Sequence, residues 1–100
     1  MQNSPNLTHL TEMLRQHLPV LTKQYQVASL EVFGSYIHHE EHENSDLDLL
    51  VTFYEPPSLL KFIELENYLS DLLDIKVDLV MKEALKPQLR DRILHETVAV

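Results

Sequence analysis

Asp46 and Asp48 stand two residues apart at the head of an apolar run, Leu47-Asp48-Leu49-Leu50-Val51-Thr52-Phe53. Residues two apart on a strand share a face. Both carboxylates therefore point one way, while Leu47, Leu49, Val51 and Phe53 point the other way, toward a core. Two like charges on one face need a reason, and the economical one is a divalent cation, because hard cations such as Mg²⁺ prefer oxygen ligands. Upstream, residues 27–33 read as a first strand that ends in Gly34, the one glycine of the chain. A lone glycine between a strand and a helix marks backbone that turns sharply or comes very close to something. Ser35 follows at the N-terminus of a short helical turn, where free N–H groups and the dipole end suit an anion. Alone, Gly34-Ser35 reads as a turn with a helix cap; beside Asp46 and Asp48 it reads as a phosphate-binding turn.

The rest of the chain supplies a scaffold for these residues. Ser4-Pro5 has the chemistry of a helix start. Leu7, Leu10, Met13, Leu14, Leu18 and Leu21 then follow helical spacing. Pro19 interrupts this stripe, so the sequence predicts one helix to about His17 and a second, short one from Pro19 to about Gln24. The second strand, residues 46–53, is broken by Glu55-Pro56-Pro57. Ser58 caps a helix to about Leu73, whose broad apolar face includes Leu59, Leu60, Phe62, Ile63, Leu65, Tyr68, Leu69, Leu72 and Leu73. This face is read as crossover packing against the sheet. A third strand, residues 74–80, alternates Ile75, Val77 and Leu79 with Lys76, Asp78 and Val80. An aspartate flanked by Val77 and Leu79 is disfavoured on a strand unless something pairs with it. Asp78 is therefore a third candidate acid; the competing reading is an edge-strand aspartate paired to Lys76 or Arg90. Asp74 reads as a turn residue. Residues 82–86 form a connector with about one helical turn, and Pro87 opens a last helix bearing Leu89, Ile93 and Leu94. Val98-Ala99-Val100 ends the chain, either docked as an extended tail or part of a partner interface.

Two metal readings fail on spacing. His38, His39 and His42 lie in a polar stretch, residues 38–44, with no apolar residue to support ligands and no zinc spacing. A solvated acidic loop is the simpler account. An EF-hand beginning at Asp46 would need ligands and a glycine where Leu49, Leu50 and Val51 stand.

One hundred residues suggest one domain, over 1–100, with a modest core. Sixteen acids against eight Lys and Arg give a net charge of −8, which argues against direct nucleic-acid binding and suits a basic partner or a metal site. With no cysteine there is no disulfide framework, and a cytoplasmic location is expected. The first residues resemble neither a signal nor a transit peptide, and no apolar run approaches the ~20 residues of a membrane span.

Gly34-Ser35, ten further residues, then Asp46-x-Asp48 on a strand is similar to the motif of the nucleotidyltransferase superfamily related to DNA polymerase beta. The local wording, F-G-S-Y and S-D-L-D-L-L-V, resembles its smallest members, from about Pro19 to the C-terminus. These are the minimal nucleotidyltransferases (MNT) that act as antitoxins to HEPN-domain ribonuclease toxins. The resemblance implies an α/β (α+β) fold with a small mixed sheet packed with helices. It implies that Gly34, Ser35 and Ser45 bind the nucleotide, and that Asp46, Asp48 and Asp78 are catalytic and hold two Mg²⁺ ions. The implied activity is transfer of AMP from ATP onto a HEPN-type toxin, at a tyrosine, which neutralises it. Many relatives continue G-S-Y-A-R-G where this chain has Gly34-Ser35-Tyr36-Ile37-His38-His39, so a basic residue and a second glycine are missing. That departure keeps a second reading in view, an antitoxin that only occludes its partner. A third is nucleotidyl transfer to a small molecule such as an antibiotic.

Overall fold

The computed structural model describes residues 7–34, 46–94 and 96–100. In chain order these form helix α1 (Leu7–Tyr25), strands β1 (Val27–Phe33) and β2 (Leu47–Phe53), helix α2 (Leu59–Leu73), strand β3 (Val77–Met81), a 3₁₀ turn (Lys82–Ala84), helix α3 (Pro87–Leu94) and strand β4 (Val98–Ala99). The strand order is β3-β2-β1-β4. β1 is antiparallel to β2 and β4, and β2 is parallel to β3. The sheet is therefore mixed, as the sequence predicts. Its parallel step needs a crossover, which α2 provides.

Alternation along the strands divides the sheet into two faces. Leu47, Leu49 and Val51 of β2, Leu30 and Val32 of β1, and Val77 and Leu79 of β3 are buried with Leu10, Leu14 and Leu21 of α1 and Leu65, Leu69 and Leu73 of α2. Each such side chain contributes about 1.5–3 kcal/mol through burial. The other face carries Asp48, Leu50 and Thr52 of β2, paired with Phe33, Glu31 and Ser29 of β1. Leu50 is only 1% exposed although it points away from the helices. Opposite it, Glu31 accepts hydrogen bonds from Lys82 Nζ at 2.9 Å and Thr97 Oγ1 at 2.8 Å. Lys82 follows β3 and Glu31 lies on β1, so this link passes over β2 and draws the C-terminal segment onto the acidic face. Burial pushes the Glu31 carboxyl up, but the Lys82 and Thr97 hydrogen bonds and the Lys82 charge outweigh it and the net shift is downward.

Several expectations change. Pro19 does not divide α1, which runs unbroken through it. A proline inside a helix costs about 3 kcal/mol. Here Leu14 and Leu21, both fully buried, lie on either side of it and pack both halves on the core. Pro19 and Arg15 are both exposed, so the carbonyl that loses its donor faces water. The broad apolar face predicted for α2 is narrower than the sequence suggests. Leu59, Leu60 and Ile63 are 74%, 80% and 43% exposed, because they lie beside the stripe of Phe62, Leu65, Leu69 and Leu73 that packs on the core. The third strand begins at Val77 instead of Asp74. Asp74 ends α2 in the left-handed conformation (φ 56°), a turn role that the sequence suggested. Val98-Ala99 docks as β4 against Glu31 and Val32, which settles the tail as an extended strand. The predicted helix start at Ser4-Pro5 lies outside the described residues.

Candidate active site

The site is assembled where β1 ends and where β2 and β3 begin. These three ends coincide because β2 runs antiparallel to β1 and parallel to β3. The register places Phe33 opposite Asp48, and Asp48 opposite Asp78. Gly34 follows Phe33 with φ +82°, a conformation that costs other residues about 1–2 kcal/mol. A Cβ built on Gly34 would collide with Asp48 Oδ2. Both reasons for a lone glycine therefore apply, a turn and a close approach, and the close approach is to an acid of the site.

Asp48 is the half-buried centre of this arrangement. Burial pushes its carboxyl up to about 6, and the negative charges of Asp78 and Asp46 and a hydrogen bond to Asp78 add to the shift. The protonated Asp48 donates to Asp78. Asp78 lies on an edge strand and is exposed. Its neighbour is thus another carboxylate, and Lys76 pairs instead with Asp46, Nζ to Oδ2 at 3.8 Å. That ion pair is mostly solvated, with 78% and 41% of the two side chains exposed, and is worth little energetically.

The three predicted acids are therefore brought to one end of the sheet. Among the described residues, no three His, Cys, Asp or Glu side chains already converge as a ready-made metal cage. The donor set nonetheless fits a divalent cation. Asp48 and Asp78 are paired across the strands with the Asp46 charge nearby, Asp48 is driven toward its protonated form by these surroundings, and a cation would relieve that. Ser35, Ser45, His38, His39 and His42 lie outside the described residues. Sequence reasoning did not find the partners that hold the site's strands. Ser70 Oγ accepts from Val77 N at 3.0 Å, and Glu66 Oε2 accepts from Leu79 N at 2.9 Å. The one signal was that Glu66 and Ser70 stand four apart on the helix entering β3.

A family model described as nucleotidyltransferase domain matches residues 14–100. The chain belongs to the nucleotidyltransferase family. Protein adenylyltransferase MntA of Thermococcus cleftensis is 48% identical over 94 residues, which cover 94% of this chain and 95% of that protein. A solved structure described as a minimal nucleotidyltransferase superposes with a TM-score of 0.79 at 35% identity, over 96% of this chain and 97% of that one. A crystal structure of a toxin–antitoxin with AMP-PNP superposes with a TM-score of 0.68 at 25% identity, over 95% of this chain and 72% of that one. This nucleotidyltransferase thus has its Gly34, Asp46, Asp48 and Asp78 where the fold gathers three strand ends. Among the described residues no helix is long and apolar enough to cross a membrane.

Proposed function

We propose that the chain is an antitoxin that transfers AMP from ATP, with Mg²⁺, onto a HEPN-type ribonuclease toxin, with a tyrosine as acceptor. The observation that carries this reading is the gathering of Asp46, Asp48 and Asp78 beside Gly34. The 48% identity to a protein adenylyltransferase supports a protein acceptor, and the toxin–antitoxin structure with an ATP analogue supports both partner and nucleotide.

Gly34, with Ser35 and Ser45, holds the phosphates. Asp46, Asp48 and Asp78 would hold two Mg²⁺ ions, which when bound would supply positive charge to offset that of the reacting phosphates. Asp78, exposed on the edge strand, orients the acceptor hydroxyl and takes its proton. The hydroxyl oxygen bonds to the α-phosphorus, the bond to the β-phosphate oxygen breaks, and pyrophosphate leaves. The chain's contribution is mainly positioning and charge. An added AMP places bulk and negative charge where RNA must bind the toxin, which inhibits it. The net charge of −8 suits docking on such a basic surface.

The test is intact mass spectrometry of the chain's co-encoded neighbour after incubation with the chain, Mg²⁺ and each ribonucleoside triphosphate. A gain of one or more AMP units, absent with Asp46→Asn/Asp48→Asn, is expected. No gain, alongside a stable complex that silences the neighbour's ribonuclease, would replace the enzyme with an occluding antitoxin.

A further inference from the structure

β3 is an edge strand with a carboxylate directly opposite another carboxylate. Like charges at opposed positions push paired strands apart, and Asp78 faces Asp48 in this way. An edge strand also has a row of N–H groups turned away from its one neighbour. In β3 the N–H groups on either side of Asp78 are both taken. Val77 N donates to Ser70 Oγ at 3.0 Å and Leu79 N donates to Glu66 Oε2 at 2.9 Å. Ser70 Oγ in turn donates to the Glu66 carbonyl at 3.0 Å, so the hydroxyl is used as both donor and acceptor. Glu66 and Ser70 lie one turn apart on α2, which is fixed to the core through Leu65, Leu69 and Leu73.

We propose that Glu66 and Ser70 are positioning residues for Asp78. They clamp the peptide groups flanking it from the helix side, so that the strand cannot yield to the repulsion on its sheet side. The clamp fixes the position of Asp78 opposite Asp48, where a cation would engage both. It also denies the β3 edge to an incoming strand. This inference rests on the proposed role of Asp78 in cation binding, and neither residue touches substrate.

The experiment compares Glu66→Ala, Glu66→Gln and Ser70→Ala, each alone by two readouts and combined with Asp78→Asn by the second. One is the Mg²⁺ concentration that half-saturates AMP transfer. The other needs no turnover: titration with Mn²⁺, followed by paramagnetic broadening of the Asp78 amide signal. Glu66→Ala and Ser70→Ala are expected to raise both midpoints, the former by about tenfold, since a hydrogen bond to a charged group is stronger than one to a neutral hydroxyl. Glu66→Gln keeps a side-chain oxygen for the Leu79 N–H and should stay near wild type. In the Asp78→Asn background the alanine effects should vanish, because the residues act through Asp78. Two results would overturn the inference: a lowered melting temperature with unchanged metal midpoints, or alanine effects of equal size with and without Asp78. A wild-type chain that binds Mn²⁺ but transfers nothing sinks the proposed reaction, and the Mn²⁺ midpoints then decide the clamp alone. A wild-type chain that binds no Mn²⁺ sinks both.

Discussion

Replacing Asp48 by asparagine should make the protein more stable and inactive. The Asp48 carboxyl is held at about 6 against an ordinary 3.8. A raised acid is penalised in its charged form. The native state therefore binds the proton more tightly than the unfolded chain does. The penalty is absent below pH 3.8, where both states are protonated, grows as pH rises through the interval, and is complete above about 6. At 1.36 kcal/mol per unit the full shift is worth about 3 kcal/mol. Asp48 is only half-buried, and screening reduces this to roughly 1–1.5 kcal/mol. The Asp48→Asn side chain lacks the charge, keeps the shape, and still donates to Asp78 through its amide. At pH 8 the melting temperature should rise by about 4–8 °C for a domain of this size. By pH 4 the difference should close, since wild type then carries no charge there either. Magnesium should raise the wild-type melting temperature and leave that of the variant nearly unmoved. Calorimetric scans of both proteins at pH 4, 6 and 8, with and without Mg²⁺, test this directly. A variant that melts at or below wild type at pH 8, or a gain that persists at pH 4, would refute the electrostatic account.

Gly34→Ala should fail in two ways at once: the left-handed backbone costs about 1–2 kcal/mol, and the new methyl displaces the Asp48 carboxylate. Urea unfolding should report the first, and loss of the Mg²⁺-induced rise in melting temperature the second. Lys82→Met should cost about 1–3 kcal/mol near pH 7, because it leaves the mostly buried Glu31 without its cation. Glu31 is a depressed acid, so its contribution is present above its ordinary 4.5 and fades as pH falls below that. Wild type and the Lys82 variant should therefore converge in urea midpoint at acid pH.

The sequence revealed the parts of this fold whose chemistry is local. The alternation of Leu47, Leu49 and Val51 against Asp46 and Asp48 already oriented β2, and a lone glycine after an apolar strand already marked a forced conformation. Asp78 stood out because a carboxylate inside a strand needs a partner. What the sequence did not disclose was which partner. Lys76 looked the natural one at two residues' distance, yet it reaches instead to Asp46, just ahead of the neighbouring strand. Pro19 misled because propensity is local, whereas the burial of Leu14 and Leu21 that overrides it depends on a sheet not yet assembled. Leu59 and Leu60 misled in the opposite sense, since a broad apolar face does not say which part of its width the core covers, and here the core covers the stripe of Phe62, Leu65, Leu69 and Leu73 but not Leu59 and Leu60.

The same geometry explains why a site like this needs support from outside itself. Its acids are gathered by strand pairing, which is indifferent to charge, and are pushed apart by charge, which grows as they are desolvated. A cation resolves the conflict when bound. Without one the resolution must come from the scaffold, and each acid is restrained differently. Gly34 leaves room against Asp48 where any side chain would intrude. Lys76 pairs with Asp46. The hydrogen bonds that Val77 N and Leu79 N donate to Ser70 and Glu66 fix the strand on both sides of Asp78. Removing any one restraint should disorder the site more than it changes the stability of the chain. Cation affinity is therefore a sharper measure of these residues than melting temperature.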